Sequence, residues 1–110
     1  MAAYYQPEDL ARFAEIGAGA PELWAKFQSW YGAVFAEGAL SGREKALIAL
    51  AVAHALQCPY CIDATTRSSL EHGSCREEMT EAVHVAAAIR AGATLVHGVQ
   101  MRTVADTLAM

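Results

Sequence analysis

Strand signals are scarce in this chain. No stretch alternates β-branched or aromatic residues with polar ones at a clear period of two, and alanine is abundant. Sandwich and barrel folds are therefore excluded, and the expected class is all-α. Long hydrophobic runs are lacking too. The longest, Ala46–Ala53, has eight residues before His54 interrupts it, whereas a membrane span needs about 20. The N-terminus does not show the basic, apolar and small-residue succession of a secretory signal. A cytoplasmic location and no membrane partner are expected. Positive charge is not in excess either. The net charge is −4 with both signs interspersed, which gives no electrostatic reason for nucleic acid as a partner. Cysteine is rare, and three is an odd number for a secreted disulfide scaffold.

What the chain does have is apolar bulk. Residues of apolar type make up 55% of 110, enough for one domain spanning residues 1–110 and more than a monomer of that size easily hides. A homo-oligomer is expected. Apolar residues recur at three- and four-residue spacing between proline and glycine punctuation, which predicts a bundle of about six helices. Pro7 and Pro21 open the first two. Trp24, Phe27, Trp30, Tyr31 and Phe35 give the second an aromatic face, read as core or subunit contact. Ser41-x-x-Glu44 has the form of a capping box and opens a third helix, apolar nearly all round and so expected to be buried and central. A fourth runs from Pro59 to His72. Ser74-x-x-Glu77 is read as a second box opening a fifth helix. That helix is expected to turn Met79, Val83, Ala86, Ala87 and Ile89 inward and to end at Gly92. A sixth covers about Thr94 to Leu108.

The chemistry sits where the third helix meets the fourth, at Cys58-Pro59-Tyr60-Cys61. C-x-x-C sets two sulfurs one helical turn apart, close enough for a disulfide. Pro59 cannot continue the third helix and suits the first turn of the next. Cys58 then falls near an N-cap and Cys61 one turn in, where the helix dipole favours thiolate. Helix-start geometry makes Cys58 the more exposed thiol of the two. Such a dithiol reduces a peroxide through a sulfenic acid and a disulfide, and an external dithiol must then restore it. An unreactive buried pair is the plain alternative. Zinc is another, since Cys58, Cys61, His72 and Cys75 have plausible ligand spacing. A continuous helix from Cys61 to His72 sets those backbones roughly 16 Å apart, which argues against zinc. Neither a metal nor a cofactor is expected. Two adjacent thiols also suit trivalent arsenic as soft ligands. Cys75 is read as a helix-start residue.

The run Arg43–Ala53, then Cys58–Ala64, Gly73 and Glu77–Ala82 resembles the carboxymuconolactone decarboxylase-like superfamily. The C-x-x-C points within it to the alkylhydroperoxidase D-like branch. The whole chain is also similar to small peroxidase-like proteins associated with arsenosugar biosynthesis. The resemblance implies a helical fold assembled as trimers or hexamers, and a thiol peroxidase acting on a small hydroperoxide or other small electrophile. It implies that Cys61 attacks the peroxide and Cys58 resolves. Exchange with the reductant is assigned to Cys58. A decarboxylase-like activity or a non-catalytic helical module are the competing readings.

Two positions depart from the family pattern. A family histidine four residues after the second cysteine is Thr65 here, and a glutamate twelve before the first is Ala46. Threonine is not a base near neutral pH. Glu44 does not replace the glutamate, because two positions along a helix is a rotation of about 200°. His54, four residues before Cys58, is the candidate base, with a hydrogen-bonded core histidine as the alternative. His84 and His97 are more distant candidates. Tyr60 is expected to shape access, and Asp63 to be a solvated carboxylate, with the orienting of a base as its alternative.

Overall fold

The computed structural model describes residues 4–109. Among these residues all regular structure is helical. A 3₁₀ helix, Pro7–Gly17, is followed by α1 (Pro21–Phe35), α2 (Gly42–Leu56), α3 (Pro59–Glu71) and α4 (Arg76–Leu108). The expected all-α class holds, with five helical segments where about six were expected.

The difference lies at Gly92. Glycine weakens a helix interior by about 1 kcal/mol but stops it only where it adopts positive φ. Gly73 is the glycine that does so, at φ 85°, and α4 passes through Gly92 and Gly98 unbroken for 33 residues. The fifth and sixth expected helices are therefore one.

α2 is central, packing on α3 and α4. Its capping box forms as expected. Ser41 Oγ accepts from the Glu44 amide at 3.1 Å, and a Glu44 carboxylate oxygen accepts from the Ser41 amide at 2.9 Å. The second box is shifted by one residue. Cys75 is the N-cap of α4, and its amide donates to Glu78 at 2.9 Å. Glu78 also pairs with Arg43, tying the start of α4 to the start of α2. Ser74, the expected cap, is buried instead, and its hydroxyl has no partner among the described residues. The box slips because Gly73 and Ser74 complete the end of α3: the Ser74 amide donates to the Ser69 carbonyl at 3.0 Å.

The core is small-residue packing. Ala46, Leu50 and Ala53 of α2 meet Ser69 of α3 and Ala86 of α4, with Leu50 2% and Ser69 0% exposed. The opposite side of α2 is open, however, with Ile48, Val52 and Leu56 exposed. Ala87 and Ile89, expected inward, are exposed on α4; only the Met79, Val83 and Ala86 side of that turn is covered. Beyond its contact with α2 the long helix projects from the bundle. The radius of gyration is 18.9 Å, against about 13 Å for a compact chain of this length. By length and composition α4 is also apolar enough to cross a membrane, with a mean hydropathy of 1.3 over its best window. That stretch is tied to the bundle by Arg90, whose guanidinium donates to the Ala55 carbonyl.

The capping analysis gives opposite expectations for two serines. Ser41→Ala removes a formed cap and is expected to lower stability by about 1 kcal/mol. Ser74→Ala removes a buried hydroxyl without a partner and is expected to be neutral or stabilising. Denaturant melts of the two variants check this. The Ser41 amide holds the Glu44 carboxyl below its ordinary pKa. That contribution is present above the unfolded-state value and disappears as pH falls through the folded one, so a Glu44→Gln variant should lose stability near neutral pH and the loss should shrink in acid.

Candidate functional site

The site is built by the break between α2 and α3. Pro59 at the first position of α3 has no N–H and fixed φ. It also bars the residue before it from helical backbone. Cys58 is accordingly extended, at φ −99° and ψ 103°. The chain must turn out of α2 one residue earlier, and Gln57 does so in the left-handed region at φ 56° and ψ 45°. A non-glycine residue there costs roughly 1–2 kcal/mol. The end is closed by the Cys58 amide donating to the Ala53 carbonyl at 3.1 Å.

Cys58 is then the N-cap of α3, as the sequence predicts, and its sulfur accepts from the Cys61 amide at 3.2 Å. The two cysteines have Cα atoms 5.2 Å apart and are joined as a disulfide. Their exposures reverse the expected order. Cys61 is exposed and Cys58 half-buried, and the N-cap sulfur of Cys58 folds back over the start of the helix onto the Cys61 amide.

Cys61 faces two clefts. The smaller, about 410 Å³, lies between α1 and the open side of α2, against Val34, Ile48, Val52 and Leu56. The larger, about 920 Å³, reaches both sulfurs and runs between the 3₁₀ helix, α1 and α3. Thr65, at the family's histidine position, lines both clefts, but its hydroxyl donates to the Cys61 carbonyl at 2.6 Å rather than to sulfur. Ala46, at the glutamate position, is buried in the core.

His54 lines neither cleft. On the wheel of α2 it lies about 200° from Val52, on the far side of the stripe that walls the smaller cleft. Its Nδ1 is 2.8 Å from the Leu50 carbonyl oxygen. His84 and His97 are exposed on α4 and line neither cleft. His72 lies against Gly42, where a Cβ would come within 3.0 Å of its Nε2. Cys75 is a free, exposed thiol. Among the described residues no three His, Cys, Asp or Glu side chains are gathered as a metal set, so the Cys58, Cys61, His72, Cys75 grouping does not form.

Contacts from the N-terminal segment had no sequence signal. The Tyr60 hydroxyl donates to Asp9 at 3.0 Å, and the Tyr5 hydroxyl to Asp63 at 3.4 Å. The Tyr5 and Tyr60 rings meet edge to face at 4.8 Å. Both phenols are pushed above their ordinary pKa, first by loss of water and then by the neighbouring carboxylates. Asp63 is not merely solvated: Arg67, at 2.5 Å, holds its carboxyl below the ordinary value. These pairings span 51 and 58 residues, so no local pattern marks them. Lys45 was also missed. Its ammonium donates to the Val34 and Ala36 carbonyls at 2.7 and 2.5 Å, closing the end of α1 beside the smaller cleft.

The chain is similar in sequence and fold to known proteins. "Uncharacterized protein 4 in cox locus" of Paracoccus denitrificans is 37% identical over 108 residues, covering 98% of this chain and 97% of that one. A crystal structure of a protein from Methanobacterium thermoautotrophicum superposes with a TM-score of 0.74 at 36% identity, over 76% of this chain and 94% of that one. A carboxymuconolactone decarboxylase family protein from Legionella pneumophila, in its apo form, superposes with a TM-score of 0.69 at 33% identity, over 76% of this chain and 75% of that one. The carboxymuconolactone decarboxylase family model itself matches residues 21–101, from the start of α1 into the last turns of α4, and the chain belongs to that family.

Proposed function

We propose that this family member is a thiol-dependent peroxidase or disulfide oxidoreductase of the alkylhydroperoxidase D-like kind, with Cys61 and Cys58 as its redox pair. The observation that carries this reading is an exposed Cys61, lining two clefts, with Cys58 already within bonding reach. The Cys61 thiolate attacks one oxygen of a hydroperoxide and breaks the O–O bond, leaving a sulfenic acid and releasing the alcohol. The Cys58 thiol displaces that hydroxyl as water and forms the disulfide. Two thiols and one hydroperoxide thus give a disulfide, an alcohol and water. An external dithiol then returns two electrons. Its thiolate attacks the exposed Cys61 sulfur, and Cys58 leaves as a thiolate stabilised by the Cys61 amide at the start of α3. That reverses the exchange expected from helix-start geometry, for the reason the exposures give.

His54 is proposed as the group that takes the proton. Its Nδ1 donates to the Leu50 carbonyl, which leaves Nε2 as the basic nitrogen of the neutral ring. Because His54 does not line the clefts, it would act from the Cys58 side of the motif. The working site is placed in the cytoplasm, where a reducing pool can restore the dithiol.

The protein is further proposed to work as a homo-oligomer, a trimer or hexamer, built on α4. A folded monomer of this mass exposes roughly 5,900 Å², and this chain exposes 8549 Å². The surplus is of the size that obligate subunit interfaces bury. It includes Leu95, Val96, Val99 and Val104 along the projecting helix.

Four measurements test these statements. Stoichiometric hydroperoxide added to reduced protein should remove two of the three thiols per chain and spare Cys75; retention of all three would overturn the peroxidase reading. Cys58→Ser should halt at a trappable sulfenic acid, and Cys61→Ser should not react. His54→Gln should slow the loss of thiols to hydroperoxide at least tenfold, whereas an unchanged rate would confine His54 to holding the end of α2. In sedimentation, the native chain should run as a multiple of 11.7 kDa, and Val99→Asp should shift it toward the single chain.

A further inference from the structure

One wall of the larger cleft lies outside the stretch that the family model matches. The family model begins at residue 21, and the 3₁₀ helix Pro7–Gly17 precedes it. This segment is nonetheless fitted to the site at both ends. Near its start, Asp9 accepts from Tyr60, which stands between the two cysteines. Tyr5, just before it, is bonded to Asp63 and packs on the Tyr60 ring. At its end, Gly17 lies so close to Trp24 that a Cβ there would come within 2.5 Å of the indole. Between those ends Phe13 meets Trp24 edge to face at 4.9 Å, and Trp24 continues to Phe27 at 5.5 Å. The result is an aromatic wall on one side and the Cys58–Cys61 pair on the other, across a cleft of about 920 Å³. That is the size of a small-molecule site.

The charges at the cleft narrow the occupant. Arg12 is held by Glu15 at 2.9 and 3.0 Å and lies 4.0 Å from Asp9. Asp9 in turn accepts from Tyr60. Two carboxylates against one guanidinium leave the cleft net negative, so an anionic ligand would give up water without meeting a free counter-charge. An uncharged molecule with a flat apolar body meets no such cost and gains offset or edge contacts with the rings.

We propose that the N-terminal segment is a fitted wall of the dithiol cleft, and that the walled cleft binds uncharged, aromatic-bodied molecules through Phe13, Trp24 and Phe27. The binding rests on this geometry alone; that the bound molecule is presented to Cys61 as an oxidant rests on the thiol reading above. The segment then acts as a specificity element. It turns a sulfur open to any small peroxide into one that favours an aromatic hydroperoxide over hydrogen peroxide.

Two experiments on the full chain separate the inference from that reading. Binding is measured without redox chemistry in a Cys58→Ser, Cys61→Ser, Trp30→Phe protein, with 2-phenylpropan-2-ol as probe and Trp24 fluorescence as signal. Saturable quenching is expected, and Phe13→Ala should weaken it at least fivefold. Rates of thiol loss are then compared for 2-phenylpropan-2-yl hydroperoxide and hydrogen peroxide in the chain with its cysteines. The ratio should favour the aromatic oxidant and fall about tenfold in Trp24→Ala, or in Phe13→Ala if Trp24→Ala does not fold. Saturable binding with no thiol loss to either peroxide would support the site and remove the peroxidase reading. Thiol loss with no saturable binding and an unmoved ratio would overturn the site. So would a cleft covered by a second copy, seen as no quenching together with a change in sedimentation on Trp24→Ala.

Discussion

A missing hydrogen atom organises this molecule. Pro59 has no N–H to give to α2 and forbids helical backbone at Cys58, so the chain leaves α2 through a left-handed Gln57 and starts again as α3. Everything chemical follows from that break. It puts one sulfur on an N-cap and the other one turn in, on the more exposed residue of the two. Without the interruption, α2 and α3 would merge into one rod and the cysteines would lie along its side. The unfavourable backbone at Gln57 is tolerated because the helices on either side are anchored independently, α2 by its capping box and α3 by Ser69 sealed against Ala46.

That anchoring depends on small side chains. Ala46, Ala53, Ala86 and Ser69 let three helices approach closely around Leu50, and little else is buried. A core this thin leaves most large apolar side chains outside it. They gather in two places, along the projecting half of α4 and around the clefts at Cys61. The first is surface of the kind that other copies cover, and the second is surface of the kind a ligand covers.

Ala46 and Thr65 show how the same scaffold can keep its shape while losing polar groups. Alanine at 46 lets α3 approach α2 and supplies a carbonyl to Ser69, 3.4 Å away. Threonine at 65 returns its hydroxyl to the helix backbone, a common outcome for a helical threonine. Neither leaves a proton-transfer group beside Cys61. The polar groups that do approach the motif come instead from the N-terminal segment, through Tyr5 and Asp9.

Much of this was decided locally and so was legible in the sequence: the helical class, the Ser41 box, the stop after Leu56, and the two sulfurs at a helix start. Each depends on residues within one or two turns, where backbone chemistry acts alone. The slip of the second cap to Cys75 and the fusion of two helices across Gly92 were not legible. Both turn on whether a glycine takes positive φ, which the residue type permits but does not require. The order of exposure of the two sulfurs, the far-side placement of His54 and the docking of Tyr5 and Asp9 belong to the tertiary structure. They depend on how helices pack, and on contacts between residues more than 50 positions apart, which no periodicity along the chain records.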